Sequence, residues 1–223
     1  MQIIEYIDRD LAAIGVADTL ASGLKKALSI QERVSLAVPG GTTPGPIFDV
    51  LSAAVLDWDR VTIMLTDERW VPEDHARSNA ALIRSRLMQG PAAKAHFLPF
   101  YRDGKTAHAA APELSESLKA QMPLSMVVLG MGNDMHTASL FPGARGLSQA
   151  LHPDAPALCP IDAESQPDVR ITLSAAALNG ALEKHLIIFG QDKRDALERA
   201  MGQPPEQAPI AAVIQGGTVH WAA

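Results

Sequence analysis

Met126-Val-Val-Leu-Gly-Met-Gly-Asn-Asp-Met-His-Thr-Ala-Ser-Leu-Phe-Pro-Gly143 is the stretch whose reading decides the fold. Its first four residues are uniformly apolar, which suits a strand buried on both faces, as in a parallel sheet. The glycines at 130 and 132 then open a loop carrying one carboxylate, Asp134, and one imidazole, His136. In open α/β sheets, ligands bind outside the carboxyl ends of the strands. A histidine there is placed for proton transfer near neutral pH. Taken alone, such a histidine reads equally well as a surface or packing residue, so the surrounding sequence has to decide.

Moving outward, the same order of strand, polar loop and helix recurs. Residues 34–38 form an apolar run, Pro39-Gly-Gly-Thr-Thr-Pro-Gly45 a turn, and residues 46–56 a helix with Ile47, Val50, Leu51 and Ala54 on one face. Residues 61–65 are a strand followed by the polar loop Thr66-Asp-Glu-Arg-Trp-Val-Pro-Glu-Asp-His75. Further strands are expected at 3–7, 169–173 and 185–189, with 210–214 as another candidate. Residues 96–101 suit a strand or an extended linker, and 161–170, acidic and holding Pro167, a loop. Helical spacing covers 11–30, with Asp10 as N-cap, 78–88 behind Ser78, 106–121 and 191–201. This alternation predicts an α/β fold: a mostly parallel sheet with helices on both faces, in a single domain over residues 1–223.

Composition narrows the function. The chain has 223 residues, 47% hydrophobic and 20% charged, the profile of a soluble globular protein. A net charge of −6 without runs of like charge argues against a nucleic-acid or membrane-surface partner. A single cysteine, Cys159, excludes an internal disulfide and suggests a reducing compartment; it reads as a core residue. The acidic N-terminal residues do not resemble a signal peptide, and no apolar stretch reaches membrane-spanning length. These features predict a cytoplasmic protein, as a monomer or a small homo-oligomer.

Several segments carry candidate chemistry. In Pro39-Gly-Gly-Thr-Thr-Pro44, Gly40 and Gly41 let the backbone approach a ligand, and Thr43 can cap the helix ahead of which it stands. Free N–H groups at such a helix start bind phosphate or carboxylate; an ordinary tight turn is the other reading. In Thr66-Asp-Glu-Arg69, Arg69 can contact a phosphate or a developing oxyanion, and Asp67 can accept from sugar hydroxyls. A solvated charged loop is the alternative there, and Trp70 reads as a packing residue. Arg170 and Lys193 are further cations that suit either an anion or the surface. Lys193 would sit in the first turn of a helix, where a cation is disfavoured unless an anion joins it. Asp103-Gly-Lys-Thr106 is not a P-loop, because Pro99 holds the required earlier glycine position. Met135 likewise replaces the third glycine of a dinucleotide fingerprint. There is no Gly-x-Ser-x-Gly elbow and no zinc-type spacing, so no metal and no cofactor are expected.

Together, Pro39-Gly-Gly-Thr-Thr-Pro44, Thr66-Asp-Glu-Arg-Trp-Val-Pro72 with Ser78-Asn79, residues 130–143, Arg170-Ile-Thr-Leu173 and Gly190-Gln-Asp-Lys193 resemble the 6-phosphogluconolactonase family. That family belongs to a superfamily that also holds glucosamine-6-phosphate deaminase. The resemblance spans nearly the whole chain and implies a Rossmann-like fold. It also implies a sugar phosphate lactone as partner, with hydrolysis of 6-phosphoglucono-δ-lactone as the reaction. Met135 stands where the family pattern, Gly-x-Asp-Gly-His, has its second glycine. The deaminase motif continues from its histidine to a supporting glutamate, and Phe141 stands at that place here. By resemblance, His136 is the general base oriented by Asp134. Arg69, Arg170 and Lys193, with Thr42 and Thr43, hold the phosphate. Backbone N–H groups near Gly40 and Gly41, or Arg69, hold the oxyanion. The alternatives are a deaminase-type enzyme or a non-catalytic sugar-phosphate module.

Overall fold

The computed structural model describes all 223 residues, Met1–Ala223. Strand β1 (Gln2–Tyr6) leads into α1 (Arg9–Leu28), whose N-cap is Asp8 and not the expected Asp10. Asp8 has the extended backbone a cap requires and accepts from the Leu11 amide at 2.7 Å, whereas Asp10 is already in the first turn. The helix buries Val16, Leu20, Leu24 and Leu28 at fourfold spacing. Strand β2 (Val34–Val38) is buried at all five positions, and α2 (Gly45–Ser52) follows it. Thr43 does not cap α2. Pro44 occupies the N-cap position, leaving Thr43 one residue outside the helix and exposed.

Beyond these come β3 (Val61–Leu65), β4 (Asp67–Arg69) and α3 (Asn79–Leu82). Helix α3 starts behind Ser78, as expected, and widens into a π turn over Ile83–Leu87. Then follow β5 (His96–Leu98), α4 (Ala107–Leu118), β6 (Met126–Leu129), α5 (Leu147–Leu151), β7 (Leu158–Ile161) and β8 (Arg170–Leu173). The chain closes with α6 (Ala175–Asn179), β9 (Glu183–Phe189), α7 (Gln191–Ala200), α8 (Pro209–Val213) and β10 (Thr218–Ala222). The candidate strand at 210–214 is therefore the helix α8. A five-residue apolar run has no readable period, and Pro209 suits a first helical turn.

Seven strands form one wholly parallel sheet in the order β1-β10-β9-β6-β2-β3-β5. Strands β2, β3 and β6 are buried at every position, as central strands covered on both faces must be. A second sheet, β4-β8-β7, is antiparallel and was not foreseen from the sequence. It puts Arg69 directly opposite Arg170. Cys159 on β7 is buried, and burial pushes its thiol up to about 11, in keeping with a packing role.

Candidate active site

Strand β2 passes the chain outward to β3 on one side, while β6 passes it to β9 on the other. Where the strand order reverses in this way, a crevice opens beyond the carboxyl ends of the two strands. Here it is a cleft of about 460 Å³, lined from β2 by Pro39, Gly40 and Gly41 and from β6 by Gly130, Met131 and Gly132. That volume suits a small-molecule ligand. Gly40 is obligatory, because a Cβ there would fall inside the Asn79 carboxamide. Asn79 in turn donates from Nδ2 to the Asp67 carbonyl at 2.9 Å, joining the starts of α3 and β4 to the turn after β2.

The loop after β6 is folded on itself. The Gly132 amide donates to the His136 carbonyl and the Met135 amide to the Gly132 carbonyl, each at 3.0 Å. Thr137 Oγ1 donates to the Gly130 carbonyl at 2.8 Å. Met135 takes φ 66°, so it keeps the left-handed backbone that a glycine would adopt without strain. Ala138 is left-handed as well, at φ 50°. The turn brings Asp134 Oδ1 within 2.5 Å of His136 Nδ1. A Cβ on Gly132 would collide with both side chains, so this pairing depends on a glycine there. A carboxylate can only accept, so this contact places a proton on Nδ1, the tautomer in which the neutral ring has its lone pair on Nε2. His136 lines the cleft, with its ring centroid 4.4 Å from that of Phe141.

Four cations line the same cleft: Arg9, Arg69, Arg170 and Lys193. Arg170 is 5% exposed, and burial, followed by the charge of Arg69, lowers its pKa. Its Nη2 donates to Gln166 Oε1 at 2.5 Å, but its Nε is buried without a partner. Arg69 donates from Nη1 to the Arg77 carbonyl at 2.6 Å, and its Nε is orphaned in the same way. Lys193 Nζ donates to the Met131 carbonyl at 2.7 Å, and burial lowers its pKa too. This concentration of positive charge, with two guanidinium nitrogens lacking partners, is the chemistry that suits an anion with several oxygens.

Gly40, Gly41, Thr43, Asp67, Arg69, Arg170, Lys193 and His136 all line the cleft, and Asp134 supports His136 from behind. Thr42 is exposed and stands outside the lining. Asp67 reaches the cleft wall, but its carboxylate already accepts from Ser139 Oγ at 2.5 Å and Thr66 Oγ1 at 3.2 Å. It thereby ties the His136 loop to β4, and sugar hydroxyls are not its only candidate donors. Trp70 packs against Tyr101 at 5.4 Å, as a structural aromatic. Sequence reasoning missed Arg9, Asn79 and Gln166 as lining residues. Of these, only Asn79, the first residue of α3 and directly after its cap Ser78, sits in a segment that the sequence singled out.

Known proteins resemble this chain over nearly its whole length. Residues 7–221 match the family described as glucosamine-6-phosphate isomerases/6-phosphogluconolactonase. A Pseudomonas aeruginosa protein named 6-phosphogluconolactonase is 41% identical over 213 residues, covering 94% of this chain and 90% of that protein. The crystal structure of a 6-phosphogluconolactonase from Shewanella baltica superposes with a TM-score of 0.96 at 34% identity, covering 100% of this chain and 98% of that one. A monomeric glucosamine-6-phosphate deaminase, 15% identical, shares the fold with a TM-score of 0.81.

Proposed function

The chain belongs to the glucosamine-6-phosphate isomerase/6-phosphogluconolactonase family, and we propose that it hydrolyses 6-phospho-D-glucono-1,5-lactone to 6-phosphogluconate, the second step of the oxidative pentose phosphate pathway. The observation that carries this is the His136–Asp134 pair, 2.5 Å apart, with its free ring nitrogen in a cleft lined by cations. A lactone carbonyl is already electrophilic, so an activated water suffices. His136 Nε2 takes a proton as the water oxygen attacks C1. Asp134 stabilises the resulting imidazolium. The oxyanion at C1 is held by amides near Gly40 and Gly41 or by Arg69. On collapse, the bond from C1 to the ring oxygen breaks. That oxygen takes the proton back from His136, and the new carboxylic acid ionises, releasing one proton.

Arg69, Arg170 and Lys193 hold the phosphate in this scheme, and the two orphaned Nε groups gain acceptors when it binds. Thr43 can donate to it from the cleft edge, whereas Thr42 would have to turn inward. A deaminase-type reaction would call for a carboxylate where the Phe141 ring packs on His136. No helix is long and apolar enough to cross a membrane, and a cytoplasmic location remains the expectation from composition.

Hydrolysis of freshly generated 6-phosphogluconolactone, corrected for the spontaneous rate, tests the proposal with wild type and His136→Ala side by side. The variant should lose about 10²–10⁴ in kcat, the usual worth of general acid–base catalysis, and keep its affinity for 6-phosphogluconate. A variant with the wild-type kcat would move the chemistry away from His136. A wild type that does not accelerate the reaction would refute the lactonase assignment.

A further inference from the structure

One cation in the cleft has no role in the scheme above. Arg9 opens α1, far in sequence from the family motifs, yet its side chain lines the cleft beside Phe189 and Lys193. Its guanidinium carbon lies 5.6 Å from the centre of the Phe189 ring. Its Nε donates to the Ala223 backbone oxygen at 3.2 Å, while neither Nη atom is used within the chain. The Nη2 atom lies over Gly190, 3.9 Å from where a Cβ would stand. Gly190 is the N-cap of α7 and offers no capping side chain. The amino end of a ten-residue helix, Lys193 in its first turn and the Arg9 guanidinium therefore meet at one wall.

All three carry positive charge or partial charge. Of the neighbouring carboxylates, Glu5 and Glu198 pair with Arg194, while Asp192 in the first turn of α7 and Asp134, whose charge acts on Lys193, offset part of this positive charge without hydrogen-bonding to Arg9. The stacking on Phe189 and the bond to Ala223 hold the guanidinium in place and leave its outer edge free for a bidentate contact. We propose that Arg9 is a further substrate-binding residue, whose guanidinium joins Lys193 and the amino end of α7 in gripping the phosphate. It thereby sets the preference for phosphorylated over unphosphorylated lactones. This rests on the lactonase assignment.

The test compares wild type, Arg9→Met and Arg9→Lys on 6-phosphogluconolactone and on unphosphorylated glucono-δ-lactone. Arg9→Met keeps the apolar contact with Phe189 and removes the charge. It should raise KM for the phosphorylated lactone about tenfold, equivalent to about 1.4 kcal/mol, with kcat within about twofold. The ratio of kcat/KM between the two lactones should fall about tenfold, and Arg9→Lys should recover part of it. An unchanged KM, or an equal rise for both lactones, overturns the proposal. So does a lower Tm with unchanged KM, which would make Arg9 a tether for Ala223 alone. Calorimetric binding of 6-phosphogluconate separates the two ideas. If wild type fails to hydrolyse the lactone but binds 6-phosphogluconate more tightly than Arg9→Met, the lactonase assignment falls and Arg9 stands. Equal affinities overturn Arg9 whatever the reaction.

Discussion

Glu68 and Arg69 follow one another on β4, yet the fold treats their charges in opposite ways. Glu68 is 1% exposed and accepts four hydrogen bonds, from the amides of Arg69, Asn79 and Ala80 and from Ser78 Oγ, all within 2.9 Å. Burial raises its pKa, and these four donors oppose the rise. Arg69, and Arg170 opposite it, each keep a buried Nε with no partner. A buried polar group is nearly always satisfied, so an exception asks for an explanation. The difference separates architecture from function. The carboxylate whose partners are complete pins α3 to β4, whereas the guanidinium groups whose partners are incomplete line the cleft, where the proposed phosphate would complete them.

The strongest way to break this contrast is Glu68→Ala. It would strip four neutral donors of their acceptor and should cost at least about 3 kcal/mol, since each buried donor left unsatisfied costs about 1–3 kcal/mol. Urea unfolding measures it, and a loss below about 1 kcal/mol would deny Glu68 its structural role. Next comes Arg170→Met. It should weaken 6-phosphogluconate binding about 100-fold, about 2.7 kcal/mol, while leaving the unfolding midpoint level or higher, since it removes an ill-matched buried charge. A midpoint lowered as far as in Glu68→Ala would erase the distinction.

A third region lies away from the cleft, where two buried histidines pair with each other and His185 Nε2 is left without a hydrogen-bond partner. His220 accepts or donates at 2.8 Å to Tyr6 Oη and lies 3.1 Å from His185, itself 3.7 Å from Glu183 Oε2. Burial, then the neighbouring His185, pushes His220 down to about 4. Its folded value is thus below the unfolded one, near 6.5. The stability it allows is complete above that value. It falls with pH as the unfolded chain takes the proton first, by about 1.4 kcal/mol per pH unit between roughly 6.5 and 5. Urea midpoints at pH 7 and 5 should show this slope, and His220→Gln should reduce it to the part that comes from His185, whose pKa burial also lowers; an unaltered slope would assign the effect elsewhere. The smallest effect belongs to Met135→Gly. Relief of the left-handed backbone is offset by the greater freedom of glycine in the unfolded chain, so stability should move by less than about 1 kcal/mol. A kcat changed more than about threefold would mean that Met135 does more than hold the turn.

The contrast also explains what was legible in the sequence. The runs that became β2, β3 and β6 could be read because burial on both faces writes uniform apolarity into consecutive residues. The loops that follow them stand out because glycines and charges interrupt that pattern. The small antiparallel sheet was not readable. Strand β4 has three residues, all charged, and depends on pairing with β8 about a hundred residues on, while β7 contains Pro160 and forms only by pairing with β8 across the loop 162–169, so neither follows from local preference. For the same reason the facing of Arg69 and Arg170 appears only in three dimensions. Arg9 lies ahead of the expected cap at Asp10 and carries no motif, and Gln166 falls in the segment 161–170 expected as a loop. Each becomes informative only through what the fold sets beside it.

The seam between β2 and β6 has one more consequence. The two strands pair through only Leu36 with Met126 and Ala37 with Val127, and the cleft opens just past that junction. Contacts between such distant segments pay a large loop-closure entropy and tend to form late. During refolding, recovery of ligand affinity should therefore trail recovery of helical signal, making the substrate a clock for completion of the sheet.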